Sequence, residues 1–380
     1  MRKKLLILCM SVMLCTCMCG CWDYRGINEL AIVAGMAIDE PENGEDGIIV
    51  SFEIVSLSSS DGNAKPKPIL VQTEGKTLAE AVYKANNKVN NNMYFGNAET
   101  VIISRAVAEK QGLEVFIDPL LRDVEMRNNL FIIISGEEKA KDVIKSTDDE
   151  TIVSYDINPN IGFASENIDS PKTWPLYRIY NTLSTGDLGI TLPIVGLSHK
   201  REGEMELSGL AVFSNDKMIG ALPYDEVPFY LLAAGKSGNN SFDIFQEYQN
   251  GEKSVTLTVR KSRSKYDVEH SGDQFVFNVD IDADVAAVEF SPGWGDITSD
   301  TVRKTEQLSS QKLSTDIASF IQKAQKTYGV DIFGFGEYLR THDAKLWESV
   351  KDNWDNAFAS AQINVNCKLK IQDTGLIKKY

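Results

Sequence analysis

An α+β architecture of more than one domain, with mixed sheets packed against helices and a mainly antiparallel C-terminal half, follows from three features of the sequence. The chain has 380 residues, more than one hydrophobic core ordinarily serves. Apolar residues make up 43% and charged residues 24%, the balance of a folded globular protein that needs no disulfides. Short β-branched runs alternate with helix-spaced apolar residues before about residue 200, whereas later runs are longer and alternate strictly, as strands with one buried face do.

The chain opens on an export address. Arg2, Lys3 and Lys4 form a basic start, and Leu5 to Leu14 are apolar except for Ser11, too short a stretch for a spanning helix of about 20 residues. Met18-Cys19-Gly20-Cys21 then reads as a bacterial lipobox, with Gly20 at the small position before the cut and lipid destined for the Cys21 sulfur. The other cysteines are Cys9, Cys15, Cys17, Cys19 and Cys367, so a chain cut before Cys21 keeps only Cys367 as a free thiol and forms no internal disulfide. The formal charge is −15, and removing the three basic residues with the leader takes it to −18. Anionic lipid and nucleic acid both repel such a body. Attachment therefore rests on acyl chains, of which two bind stably and one only marginally. Strand-like spacing begins at Glu29, so about eight residues of tether hold the first domain within about 30 Å of the membrane. A longer polar linker is more usual in solute-binding lipoproteins.

In the mature chain, Glu29–Asp39 and Gly47–Leu57 read as strands around the turn at Glu40–Gly44, and Ser58–Lys67 as a polar loop. Leu78, Ala81, Val82, Ala85 and Val89 recur at helical spacing after the cap Thr77. Strands at Val101–Ile103 and Leu130–Ser135 flank a helix at Leu113–Leu121, and Glu137–Ile144 reads as another helix. Residues 146–175 are rich in Asp, Asn, Ser and Pro and are expected at the surface or between subdomains. A helix at Leu176–Leu183 and a strand at Ile190–Leu197 follow, and the charged run His199–Glu204 marks the expected boundary. The predicted organisation is a leader at 1–20, an α/β region at 21–200 in one or two subdomains, and an α+β domain at 205–380. That last domain has strands at Leu207–Phe213 and Met218–Leu222 about the turn Asn215-Asp216, a helix at Val227–Ala234, and strands at Val255–Arg260 and Phe275–Val288. Apolar residues from Leu313 to Tyr328 mark a long helix stopped by Gly329. Leu346, Val350, Trp354 and Phe358 mark one further helix, with Trp347 on its buried side. The final strand puts Ile363, Val365, Cys367, Leu369 and Ile371 on one face.

Catalytic chemistry is not predicted. Asp373-Thr374-Gly375 occurs once, whereas an aspartic-protease site needs two such carboxylates. Ser309-Ser310-Gln311-Lys312 has no Lys-Thr-Gly companion. Asp280, Asp282 and Asp284 begin like a calcium loop, but Val285 stands where Gly is needed, and their spacing makes them the wet face of a strand. Gly334-Phe335-Gly336 lacks a third glycine, and Cys367 lies on an apolar side. His199, His270 and His342 supply no metal-ligand spacing. Arg260, Lys261, Arg263 and Lys265 form the compact basic cluster, a candidate contact for an acidic partner or head group and otherwise a solvated strand end. No cofactor, metal or nucleic acid is expected.

Four signatures occur in order: Gly20-Cys21-Trp22-Asp23 with Asn28 to Val33 and Ile38-Asp39; Tyr94-Phe95-Gly96 with Arg122-Asp123; Gly209 to Phe213 with Ile219-Gly220; and Asp331 to Gly336 with Trp347 and Trp354. With them the chain resembles the Ger(x)C family, the C-subunit lipoproteins of nutrient germinant receptors in endospore-forming bacteria. Gly26 and Asn97 depart from the family pattern, where a charged residue and His are commoner. The resemblance implies a fold of several α+β domains, a place on the outer face of the spore inner membrane, and work beside A-type and B-type membrane subunits in triggering germination, without catalytic residues. Two rival readings remain, an extracytoplasmic small-solute-binding lipoprotein and a cell-envelope hydrolase whose site is assembled from residues distant in sequence.

Overall fold

The computed structural model describes residues 29–42, 46–56, 66–122, 125–145, 151–161, 174–198, 205–235, 242–248, 251–272 and 274–374, together with Lys4 and Gly26. Its first half is built on a nine-stranded mixed sheet. Strand β1 (Leu30–Asp39) lies centrally, β2 (Ile48–Ser56) pairs antiparallel with it, and β3 (Lys67–Gly75) forms the edge. On the other side of β1, β4 (Asn92–Tyr94) and β5 (Thr100–Ile103) pair parallel with successive parts of the strand. The sheet continues through β6 (Phe131–Ser135), β7 (Thr191–Leu197), β8 (Met205–Ser214) and β9 (Lys217–Pro223).

Helices cover both faces, as parallel pairing requires. On one side lie α1 (Leu78–Asn86), α2 (Arg105–Lys110), α3 (Glu114–Arg122) and, further along the chain, α6 (Leu176–Thr185). Thr77 caps α1 by accepting from the Glu80 amide at 3.2 Å, and Glu80 accepts in return from the Lys76 amide, which meets the helix's open donors from both sides. On the opposite side lie α4 (Ala140–Ile144) and α5 (Val153–Ile161). Their caps are carboxylates sent from strands far away in sequence. Asp39 on β1 accepts from the Ala140 and Lys141 amides at 2.6 and 3.0 Å. Glu53 on β2 accepts from Val153 and Ser154 at 2.8 and 2.9 Å. Burial pushes both carboxyl pKa values up, partly offset by these amide donors.

The second half curls a four-stranded sheet around one long helix. Strands β10 (Phe242–Tyr248), β11 (Lys253–Ser271) and β12 (Gln274–Phe290) run antiparallel, and β13 (Gln362–Asp373) joins β12 in parallel. Helix α8 (Ser299–Thr327) follows the short α7 (Val227–Ala233) in the chain and lies against the sheet's apolar side. It touches both edges at adjacent positions. At β10, Tyr248 Oη lies 2.6 Å from Ser309 Oγ; at β13, Ser310 Oγ accepts from the Leu369 amide at 2.9 Å. Ser314 and Glu306 take the Cys367 and Ile371 amides in the same way, each at 2.8 Å. Side chains four apart on one helix face thus meet amides two apart on a strand, because two helical turns cover nearly the rise of four strand residues. Gly329, at φ +66°, ends the helix.

Several expectations change. Leu346 to Phe358 is not one helix: α10 (Ala344–Val350) and α11 (Trp354–Ser360) are separate, broken by a tight turn at Lys351–Asn353. The break turns Trp347 and Trp354 toward each other, edge to face with centroids 5.6 Å apart. Lys67 begins strand β3 rather than closing a loop, and 146–175 contains helix α5, in which Val153, Ser154 and Ile157 are buried. Arg260 to Lys265 sit in the middle of β11 and not at a strand end. The charged run His199–Glu204 lies outside the described residues; on either side of it β7 and β8 pair antiparallel in one continuous sheet.

Candidate interaction surface

The β8–β9 hairpin joins the two halves. Ala211, Phe213 and Met218 point into the core of the first sheet, while Leu210, Val212 and Leu222 from the same strands point into the core of the second. Opposite faces of one hairpin therefore close two cores, as period-two alternation permits.

Asp331 organises the seam beside this hairpin. Its carboxylate accepts from the amides of Phe333, Gly334 and Gly336 at 3.0, 2.9 and 2.7 Å, and from Trp354 Nε1 at 3.3 Å. The peptide oxygen of the same residue accepts from the Gly189 amide, just before β7, at 2.6 Å. Asp331 is fully buried, and desolvation pushes its pKa up to about 6 even though four donors favour the charged form. It meets open donors of α9 (Phe335–His342) from outside the helix. Arg340 on α9 forms an ion pair with the buried Asp187, and Thr191 Oγ1 on β7 lies 2.7 Å from Tyr230 Oη on α7. Gly336 is required by close approach: a Cβ there would stand 2.5 Å from the Asp187 oxygen and 2.7 Å from Trp354 Nε1. The cavity at this seam measures about 40 Å³, room for a water or so and not for an amino acid or sugar.

The structure separates the residues of the suspected catalytic motifs. Ser309 is buried against Tyr248 and Ser310 serves the β13 edge, while Lys312 pairs with Asp316 at 3.2 Å. Asp373 closes β13 and pairs with Arg260 at 3.6 Å. Cys367 is buried and its thiol is pushed up to about 12 by desolvation, far from reactive thiolate character. Among the described residues no cluster of His, Cys, Asp and Glu suits a metal, and no helix is long and apolar enough to cross a membrane. Cys21 and Trp22 lie outside the described residues.

The basic cluster, by contrast, is joined by residues from two other strands. Lys261, Arg263 and Lys265 of β11 stand level with Asp284, Asp282 and Asp280 of β12, and these with Lys370, Lys368 and Asn366 of β13. Lys261, Arg263, Asp284, Asp282, Lys370 and Lys368 of these columns line an open groove of about 320 Å³ on the outer face of the second sheet. Sequence spacing revealed the Asp column and the β11 cations separately. Their pairing, and the addition of Lys368 and Lys370, needed the register.

Residues 23–197 match the family described as "Spore germination protein N-terminal domain", and residues 208–375 that described as "Spore germination B3/ GerAC like, C-terminal". The chain belongs to the Ger(x)C family. Among Ger(x)C relatives it is similar to spore germination protein KC of Bacillus subtilis (strain 168), with 22% identity over 99% of this chain and 97% of that one. It is also similar to spore germination protein A3 of the same organism, 24% identical over 98% of each chain. The crystal structure of the GerBC protein shares the fold, with a TM-score of 0.60 and 17% identity over 89% of this chain and 97% of that one. The α+β architecture and the Ger(x)C resemblance read from the sequence both hold.

Proposed function

We propose that this chain is the C subunit of a nutrient germinant receptor. In this reading it is held to the outer face of the spore inner membrane by acyl chains on Cys21. It works by contact with A-type and B-type membrane subunits and not by catalysis. The observation that carries the reading is the pair of consecutive spore-germination matches, which together run from residue 23 to residue 375. Three physical features support it. Strand β1 begins at Leu30, so an anchor at Cys21 leaves about eight residues of tether and keeps the first sheet within about 30 Å of the membrane. The motifs that resemble catalytic ones are spent on packing and edge capping. The seam between the two halves is closed by packing, with a cavity of about 40 Å³ too small for a solute at that place.

Spores lacking the chain provide the test. Loss of nutrient-triggered fall in absorbance for one class of amino acid or sugar, with a receptor-independent trigger still effective, is the expected result. An unchanged response across the panel in a strain without other receptors would refute the reading. Cys21→Ala should move the protein from the membrane to the soluble fraction; persistence in the membrane would rule out the lipid anchor.

A further inference from the structure

We infer that the outer face of the second sheet is a docking face for an extended acidic segment of a partner protein, with an apolar residue at one end of that segment. The inference rests on the proposed function only in taking the chain to act by protein contact.

The first ground is that the cations of this face are unspent. Among the described residues no carboxylate lies within 4.0 Å of the charged ends of Lys261, Arg263, Lys265, Lys368 or Lys370. Two of the three adjacent aspartates are engaged by amides instead. Asp280 accepts from Asn366 Nδ2 at 2.9 Å and Asp284 from Gln372 Nε2 at 2.7 Å. Short aspartates with amide partners thus form a floor, and long basic side chains form two rims. Rims carried by β11 and β13 are two strand spacings, about 9.6 Å, apart. A single extended chain or helix laid along the strands could present carboxylates to both.

The charge pattern decides between classes of partner. A lipid surface offers a uniform negative plane and would meet the three aspartates as well as the cations. A protein segment can put its carboxylates over the rims and leave the floor to donors or apolar groups, so striped charge selects a shaped partner. The chain as a whole carries a formal charge of −15, so the rest of its surface repels acidic partners and leaves this face as the place of attachment.

The second ground is an apolar anchor on the same face. Phe245 of β10 is 76% exposed and Val288 of β12 is 63% exposed. Register brings them together: Phe245 stands level with Thr256, Thr256 with Glu289, and Val288 is the extra residue of the bulge beside it. Val288 follows Asp284 by four residues, about 13 Å along the strand. An exposed aromatic on the same face, about 13 Å beyond the groove, supplies the apolar end of a protein-contact surface.

The test uses the full chain in its own spores, with a photo-crosslinking amino acid at position 265 or 368 and, as a control face, at position 84 on α1. Adducts from 265 and 368 should contain peptides of one protein in which Asp and Glu outnumber Lys and Arg. Their yield should fall at least tenfold in Lys261→Glu/Arg263→Glu and stay level in Lys326→Glu. Phe245→Ser should lower it independently without altering the charge. Adducts to lipid alone, no adduct at 265 and 368, equal yield from position 84, or indifference to the charge reversal in a protein of unchanged melting temperature would each overturn the inference. Deletion spores separate the two readings: normal germination alongside the expected adducts refutes the receptor role and leaves the docking face standing. Defective germination without those adducts does the reverse.

Discussion

Asp331 is a carboxylate held in a place that favours its proton. Its pKa rises from 3.8 to about 6, so between those values the folded chain binds a proton that the unfolded chain has released. Stability from this group is therefore complete below about pH 4 and lost as pH rises through about 6, a swing of about 3 kcal/mol. In Asp331→Asn that dependence disappears. The difference in unfolding free energy, variant minus native protein, should rise by about 3 kcal/mol from about pH 4 to about pH 7 in urea titrations; parallel pH profiles would show that the carboxyl is not perturbed. At Gly336 the constraint is steric. Gly336→Ala should cost about 3 kcal/mol by forcing apart the Asp187 peptide and the Trp354 indole, read as a lowered urea midpoint. Cys367, the one cysteine among the described residues, is only a small buried residue on the apolar face of β13.

At the scale of elements, what was legible in the sequence was whatever carried its own signal. The alternation in β12 and β13, the apolar stripe and stop of α8, and the Thr77 cap of α1 are all local, and each element lies where they indicated, except that α8 begins at Ser299, well before the first residue of its stripe at Leu313. Elements whose determinants lie elsewhere were hidden. Helix α5 begins at Val153 because Glu53, on a strand formed 100 residues earlier, receives its first amides. Helix α4 starts at Ala140 for the same reason, through Asp39, although helical spacing appears from Glu137. Strand β3 is mostly exposed and contains Pro68, which suits an edge and erases the pattern of a strand. The candidate site divides likewise: the acidic column was readable as one wet strand face, but its cationic rims belong to strands about a hundred residues apart. The edge closure on α8 can be tested directly. Ser310→Ala and Ser314→Ala each leave a β13 amide without its acceptor and should cost about 1 kcal/mol apiece. Amide exchange should quicken at Leu369 in the first and Cys367 in the second; unchanged exchange at both would mean that water serves the edge as well as the helix does.

For the whole molecule, the shared hairpin and the seam predict joint unfolding. Strands β8 and β9 lend one face to each core, so neither sheet can melt without exposing the other's side chains. Calorimetry of the native protein should show one transition. Arg340→Ala removes the charged partner of Asp187, which is only 4% exposed and keeps the Thr185 hydroxyl as a donor. The cost should be about 2 kcal/mol, less than for a fully buried pair because Arg340 itself is 41% exposed. Two resolved transitions in the native protein would show instead that the halves are thermodynamically independent.

The parallel pairing of β12 with β13 also fixes an order of assembly. As the chain emerges from the ribosome, the first sheet has all its strands by Pro223, and β10 to β12 are present by Phe290. The strand that completes the second sheet arrives only with residues Gln362–Asp373. Until then Phe277, Ile281 and Val285 line a sheet open along its inner edge, a long-range closure of the kind that folds slowly and invites aggregation. A premature stop anywhere between the codons for Phe290 and Gln362 would therefore not yield a shortened working protein. It would yield a chain with a finished first half and a sticky second, a substrate for proteases, so late nonsense alleles should behave as complete losses of the gene.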